Sequence, residues 1–401
     1  MKLLVNTPAH FVSCKGRVFS NELTYARFWK RYLAVFDSVT VVGRVKPVEK
    51  VPSGWDNATG SGISFCEVPN FYGPWQYLRL KRKVNSIIEN VIGNCNAYIL
   101  RLPCVLGTLM WHYLMQEKHP YAVEVVADPW DAFSPGGVKV LLRPIWRRKM
   151  AWDLIKQCQG ASAACYVTEY SLQKRYPPGG WSTYCSDVEL ADKDIVDESA
   201  LELRTKRVND KSKSGRPWNL CYVGSMGQLY KAPDVLLYAV ANCIKKGLSF
   251  ELTMVGDGYF RPRLERQARE LGIGDRVKFI GCVPAGECIF QQLDKADLFV
   301  LPSRTEGLPR ALVEAMARGV PSIGSTVGGF PELLDAEDLV MPNDVQTLAD
   351  KIAEVLSNTS RLTRMSIRNL ETVKAKFNIK QLERRRIEFY QKVAALSSFK
   401  C

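Results

Sequence analysis

The chain has 401 residues, 46% apolar and 24% charged, which provides for more than one core and excludes a disordered or fibrous protein. Its net charge is +14, and residues 1–150 hold 20 Lys and Arg against 10 Asp and Glu. That balance favours nucleotides, nucleic acid or an anionic membrane surface as partners, set against the plainer reading of a solvated basic face.

The first run, "KLLVN", is too short for a secretory core and reads as a strand. The polar stretch "TPAHFVSCKGRVFSN" follows, then the helical pattern "ELTYARFWKRYLAVF" and the strand-like "SVTVVGRV". "AYILRLP", "YAVEVVADP" and "ASAACYVTEY" continue the alternation of apolar strand and helix, the pattern of a parallel sheet buried on both faces. Over 187–217 the text is charged with little periodicity and reads as a link. A second alternating series then begins: "NLCYVGS", "FELTMVGDG", "RVKFIGCV", "ADLFVLPS" and "VPSIGST". The tail "IKQLERRRIEFYQKVAALSSF" is an amphipathic helix.

The expected fold is therefore α/β, with two doubly wound, Rossmann-like parallel-sheet domains, 1–190 and 217–380, facing a cleft. Residues 191–216 link them, and 381–401 form a helix whose return to the first domain is left open. No stretch approaches the roughly 20 apolar residues of a spanning helix. The twelve cysteines have no repeated metal spacing; Cys158, Cys165, Cys221 and Cys243 read as reduced core thiols of a cytoplasmic protein. Three histidines, His10, His112 and His119, argue against zinc.

In open parallel sheets ligands bind beyond the carboxyl ends of the strands. In the second domain every such end carries Gly, Ser or Pro. "SRTEGLPRALVEAMARG" places Glu306 in a turn, Pro309 at a helix start and Glu314 inside the helix closed by Gly319. The amides of Gly307 and Leu308 lie beside Glu306. An ionised carboxylate accepts hydrogen bonds from vicinal hydroxyls, as on a ribose or hexose. The next strand ends in Val327-Gly328-Gly329, whose amides can approach a phosphate. Two polyol-binding carboxylates and a phosphate-binding turn are what a sugar nucleotide needs.

Here the chain resembles the retaining family-4 glycosyltransferases of GT-B fold, of the bacterial surface-polysaccharide type. Glu306 and Glu314 match their E-x7-E motif, and "VGSMGQLYKAPDVLLYAV", "MVGDGYFRPRLERQARELGIGDRVKFIGCV" and "LDKADLFVLPS" follow in the family order. The match is strong over 217–340 and weaker over 1–190, the acceptor-side domain. The resemblance implies that Glu314 binds ribose and Glu306, with Gly307 and Leu308, the donor sugar. Lys231 neutralises the diphosphate beside Gly224, and Val283 lies near the base. The family's loop Arg is replaced by Ser225 and its Gly by Ala232. Ser225 or a backbone amide substitutes for the Arg, or Arg304 or Arg310 reaches in. The family's N-terminal-domain His is also missing; Asp128, in "EVVADPW", stands near its place, as a catalytic group or as a residue shaping the turn before Pro129. His10 faces the cleft or merely turns the chain, and Gly16 lets the backbone approach the diphosphate or permits a tight turn.

The implied activity is metal-independent, cofactor-free transfer from a nucleoside diphosphate sugar to a hydroxyl of a lipid-linked glycan, without nucleic acid. The enzyme would lie peripherally on the inner face of the membrane, through the basic-aromatic segments 77–83 and 143–149. The rivals are an epimerase or phosphorylase of the same fold and a basic nucleic-acid-binding protein; the sequence carries no aromatic-basic binding module for the last.

Overall fold

The computed structural model describes residues 1–21, 23–26, 28–133, 142–188 and 190–398. The first half is built on nine strands: β1 (Lys2–Cys14), β2 (Arg17–Ser20), β3 (Ser38–Pro47), β4 (Asp56–Asn57), β5 (Ile63–Pro69), β6 (Ala97–Leu102), β7 (Ala122–Val125), β8 (Ala163–Tyr166) and β9 (Trp181–Tyr184). Its parallel part runs β5-β3-β1-β6-β7-β8-β9, and β2 and β4 add antiparallel at one side. Helices α1 (Gly73–Ile92), α2 (Val105–Gln116), the short α3 (Pro129–Ala132), α4 (Arg143–Gly160) and the short α5 (Ser171–Arg175) connect the later strands. Val84, Ile88, Met110, Leu114, Leu154 and Cys158 pack α1, α2 and α4 against Leu4, Val42, Leu100 and Val123 on one face of the sheet. The other face buries Leu3, Val5, Val39 and Ile99 against Trp29, Tyr32 and Phe36.

Two details depart from the sequence reading. The first strand does not stop at Asn6: after a register shift between Asn6 and His10 it runs on to Cys14 and turns back through a hairpin. Among the described residues the helical pattern after it yields a 3-10 turn, Trp29–Ala34, whose aromatics are bound into the core.

The second half holds β10 (Trp218–Val223), β11 (Phe250–Val255), β12 (Val277–Gly281), β13 (Leu298–Leu301), β14 (Ser322–Ser325) and β15 (Leu339–Val340), ordered β12-β11-β10-β13-β14-β15 and all parallel. This is the doubly wound order whose direction reverses at the first strand, so a switch point lies between β10 and β13. The helices of this half are α6 (Glu198–Ser214), α7 (Pro233–Lys245), α8 (Arg261–Glu270), α9 (Glu287–Lys295), α10 (Arg310–Ala317), α11 (Val345–Leu356) and α12 (Thr359–Lys376).

Helix α6 occupies the segment read from sequence as a link. Its buried residues are Arg204 and Val208, so there is little apolar stripe to see. It is held instead by its caps and by long cations. Asp197 accepts from the Ala200 amide at 2.9 Å, and Gly215 closes the helix at φ 67°. Arg204 donates to the carbonyls of Ala296 and Arg318 at 2.5 and 3.1 Å, and Lys211 meets Asp297 at 2.6 Å.

The tail helix α13 (Ile379–Ser398) packs on β6, β8 and β9 of the first half. Tyr390 lies 4.7 Å from the Tyr32 ring, and the Cys185 thiol donates to the Leu382 carbonyl. The chain thus crosses between the halves twice. The two crossovers pair with each other through a bridge between Leu190 and Asn378. Among the described residues no helix is long and apolar enough to cross a membrane.

Candidate active site between the two sheets

The loops that follow β10 and β13 flank the switch point. After β10 the chain turns at Gly224, and Lys231 precedes Ala232, which takes a left-handed φ of 52° before Pro233 opens α7. A Cβ on Gly224 would stand 2.6 Å from Lys231 Cδ and 2.8 Å from the Tyr222 hydroxyl, so glycine is required for the lysine stem to cross the turn. Lys231 Nζ meets Glu306 Oε1 at 2.8 Å, and Ser303 Oγ donates to the same oxygen at 3.0 Å. Both members of this ion pair are largely buried. The Gly307 and Leu308 amides donate no hydrogen bond among the described residues.

Glu314 lies further along, in α10, mostly buried and with no hydrogen bond to its carboxylate among the described residues. Burial raises its pKa; Arg310 and Lys231 pull the other way, and Asp194 adds to the rise. A carboxylate held this dry without a partner is prepared for hydroxyl donors. Val283 stands half-buried just past β12, and Ser225 Oγ accepts from the Gly227 amide at 3.2 Å.

Two sequence expectations, for Arg304 and for the Gly328-Gly329 turn, are corrected, and two alternatives left open, at Gly16 and Asp128, fall to the turn. Arg304 does not reach toward a diphosphate. Its guanidinium holds Asp234 at 2.8 Å through both terminal nitrogens, and donates to the Leu229 carbonyl at 2.5 Å and to Asn343 at 2.6 Å. It therefore fixes the loop that carries Lys231. In the Gly328-Gly329 turn one amide is likewise already engaged. The Gly329 amide donates to the Gly307 carbonyl at 2.7 Å, and a Cβ on Gly328 would stand 2.2 Å from the Glu306 carbonyl oxygen. These glycines let the turn lie directly on the Glu306 loop. Gly16 sits at the tip of the β1–β2 hairpin, where Lys15 and Gly16 have φ of 50° and 75°, the two-residue turn that favours glycine. It is exposed and is not brought to the other site residues.

Asp128, the fourth, caps α3 by accepting from the Trp130 amide at 2.8 Å; it also accepts from the Tyr176 hydroxyl at 2.5 Å and pairs with Arg175. Only 4% exposed, with both oxygens engaged, it shapes the turn and is not free for an acceptor hydroxyl. Asp131, passed over in the sequence, shares Arg175 at 3.2 Å, and its carboxyl is pushed up to about 6 by burial and then by the Asp128 charge. An acidic pair three residues apart at a helix start was the available signal.

The two halves meet at this site. A Cβ on Gly307 would lie 2.6 Å from the Val126 carbonyl at the end of β7, and one on Gly329 would touch Thr168 after β8. Glu332 spans the halves as a latch. Its Oε2 accepts from the Glu169 amide at 2.6 Å, and its Oε1 accepts from the Tyr170 and Ser171 amides at 3.1 and 2.7 Å.

Residues 217–358, which carry every one of these C-terminal loops, match the family model described as Glycosyl transferases group 1. The second half is a group 1 glycosyl transferase domain. Protein CapJ of Staphylococcus aureus is 27% identical over 372 residues, 89% of this chain and 90% of that protein. The putative colanic acid biosynthesis glycosyltransferase WcaL of Escherichia coli is 33% identical over 164 residues, 38% of this chain and 40% of that protein. The crystal structure of Anabaena Alr3699/HepE in complex with UDP and glucose superposes with a TM-score of 0.63 at 16% identity, covering 98% of this chain and 99% of that one. The enzyme is a glycosyltransferase of GT-B fold. The expectation of that fold and of that class of transfer is met; no comparison favours an epimerase, a phosphorylase or a nucleic-acid-binding protein.

Proposed function

We propose that this glycosyltransferase moves a sugar from a nucleoside diphosphate sugar to a hydroxyl of a lipid-linked glycan in polysaccharide biosynthesis, with retention and without a metal. The observation that carries this reading is the Lys231–Glu306 pair at 2.8 Å across the switch point, with the desolvated Glu314 beyond it in α10. A relative named for colanic acid biosynthesis and a structural neighbour holding UDP and glucose support the substrate class.

In this reading Glu314 accepts hydrogen bonds from ribose hydroxyls, and Glu306 with the Gly307 and Leu308 amides holds the donor sugar. An ammonium has three donors, so Lys231 keeps Glu306 while turning another proton to the diphosphate. The bond from the anomeric carbon to the leaving phosphate oxygen breaks, and its electron pair stays on that oxygen. The acceptor hydroxyl adds on the same face and gives its proton to the departing phosphate. Lys231 then works chiefly on charge that develops as the bond breaks. Lys231→Ala is accordingly expected to lower kcat far more than it weakens nucleotide binding; unchanged kcat would remove it from the mechanism. A thermal-shift screen with UDP-, GDP-, ADP- and dTDP-sugars tests the donor class, and the anomeric configuration of the product tests retention. No stabilisation by any of them, or an inverted product, would overturn the proposal.

Membrane contact is the second part of the reading. Helices α1, α2 and α4 cover one face of the first sheet. At or near their starts Trp75, Leu78, Val105, Leu142 and Ile145 are exposed, with Trp152 further along α4. Arg79, Lys81, Arg82 and Lys83 on α1 and Arg143, Arg148 and Lys149 on α4 accompany them. Cosedimentation is expected with anionic and not neutral vesicles, at about 1 kcal/mol per well-placed Lys or Arg. Equal binding to both would sink this part.

A further inference from the structure

The carboxyl edge of the first sheet carries a second, separate cluster. His10 stands in β1 just past the register shift, and Asn70 and Tyr72 follow β5. The rings of His10 and Tyr72 are stacked, 4.4 Å between centroids and 8° between planes. His10 Nδ1 lies 2.6 Å from Asn70 Oδ1, which fixes the imidazole in its plane. Arg44, at the matching level of β3, donates to the carbonyls of Pro8 and Phe71 and so ties together the two segments that carry the stacked pair. Burial lowers the His10 pKa, with the hydrogen bond to Asn70 acting against it and the Arg44 charge acting the same way.

The fixed His10 ring thus orders against it Tyr72, which remains 62% exposed. Ordering an exposed aromatic costs side-chain freedom and is not repaid by core packing. The free face of Tyr72 is an apolar, electron-rich surface suited to the C–H face of a sugar ring. In the sheet order β1-β6-β7, β1 lies two strands from β7, about 10 Å where the strands pair, and His10 stands five residues past Val5, the last residue of β1 paired with β6, while Gly307 abuts Val126 at the end of β7. A single sugar ring does not bridge that distance.

We propose that the His10–Tyr72 stack is a subsite for an internal sugar of the acceptor glycan, so that the acceptor is at least a disaccharide. Tyr72 is the contact, while Asn70 and Arg44 are positioning residues. This rests on the reading of the enzyme as a transferase acting on glycans, and it adds the acceptor's minimum length and the surface that reads it.

The test uses fluorescently labelled full-length enzyme on an array of short neutral and acidic oligosaccharides, with nucleoside diphosphate present. Wild type is expected to bind disaccharides or longer chains and not the corresponding monosaccharides. Tyr72→Ala should weaken the same hits about tenfold or more, and Tyr72→Phe, which keeps the ring, should retain them. Calorimetric affinity for the nucleoside diphosphate should be the same in all three proteins, which shows that the fold and donor side are intact. Hits that ignore Tyr72→Ala, hits confined to monosaccharides, or no hits for wild type would overturn the proposal. Failure of wild type to bind any nucleoside diphosphate would instead count against the donor-site reading, with the array result still standing.

Discussion

Glu306 and Glu314 lie eight positions apart in sequence and differ in what surrounds them. Glu306 is satisfied by Lys231 and Ser303, whereas Glu314 is desolvated and has no hydrogen bond to its carboxylate among the described residues. A hydrogen bond to a charged group contributes about 1.5–3 kcal/mol, so Glu314→Gln should weaken free nucleoside diphosphate and the sugar nucleotide roughly ten- to hundredfold alike. Glu306→Gln should leave the free nucleotide almost untouched and depress turnover of the sugar nucleotide. Calorimetry with both ligands separates the two, and equal losses on the free nucleotide would dissolve the division of labour. The raised pKa of Glu314 also has a stability consequence. A carboxyl whose folded pKa lies above its unfolded value, about 4.3, contributes stability that is present below that value and lost as pH rises through the folded pKa. Ligand-free Glu314→Gln should therefore melt above wild type at pH 7.5, with the difference shrinking as pH falls toward 4. Parallel melting curves would refute the burial argument.

At the scale of elements, the site depends on loops that lie against one another through glycine. The turn after β14 lies on the loop after β13, and that loop lies on the end of β7. Gly307→Ala would put a methyl group 2.6 Å from the Val126 carbonyl, and backbone there cannot swing aside as a flexible side chain can. The expected result is a loss of about 1–3 kcal/mol in unfolding free energy together with a severe loss of kcat. Gly16 is the contrasting case. Gly16→Asn, which tolerates the left-handed turn in open space, should leave nucleotide affinity unchanged. A large loss there would return the hairpin to the donor site.

For the whole molecule, closure rests on the Glu332 latch together with the paired crossovers at Leu190 and Asn378. The first half also grips the crossover through a buried ionic cluster. Arg101 and Arg31 each meet Asp187 at 3.0 Å, and against the opposing effect of burial they hold its carboxyl well below the usual range. Glu332→Ala removes the acceptor of backbone amides from Glu169, Tyr170 and Ser171 and should favour an open arrangement. Small-angle scattering is expected to show a larger radius of gyration that donor only partly restores, with a raised KM. Scattering identical to wild type, with and without donor, would show that the latch does not set the closed state.

The alternating apolar runs determined by themselves that there are two doubly wound sheets, because continuous burial on both faces leaves a signal in every strand. The carboxyl-end turns likewise named Glu306 and Glu314, since side chains that follow a parallel strand must emerge at one edge, and the family resemblance added Lys231. The sequence could not show which polar groups are already engaged. Arg304, Asp128 and the Gly328-Gly329 turn have the right chemistry for a phosphate or an acceptor, yet Asp234, Arg175 with Tyr176, and the Gly307 carbonyl hold them, and each partner is distant or unmarked in the chain. Helix α6 was hidden because caps and long cations hold it in place of an apolar stripe. The His10–Tyr72 stack was hidden because β1 runs on past its apolar stretch and Arg44 draws together segments that the sequence keeps far apart. Local pattern sets the elements and the edge on which chemistry appears; only packing decides which of the charged groups at that edge remain available to a ligand.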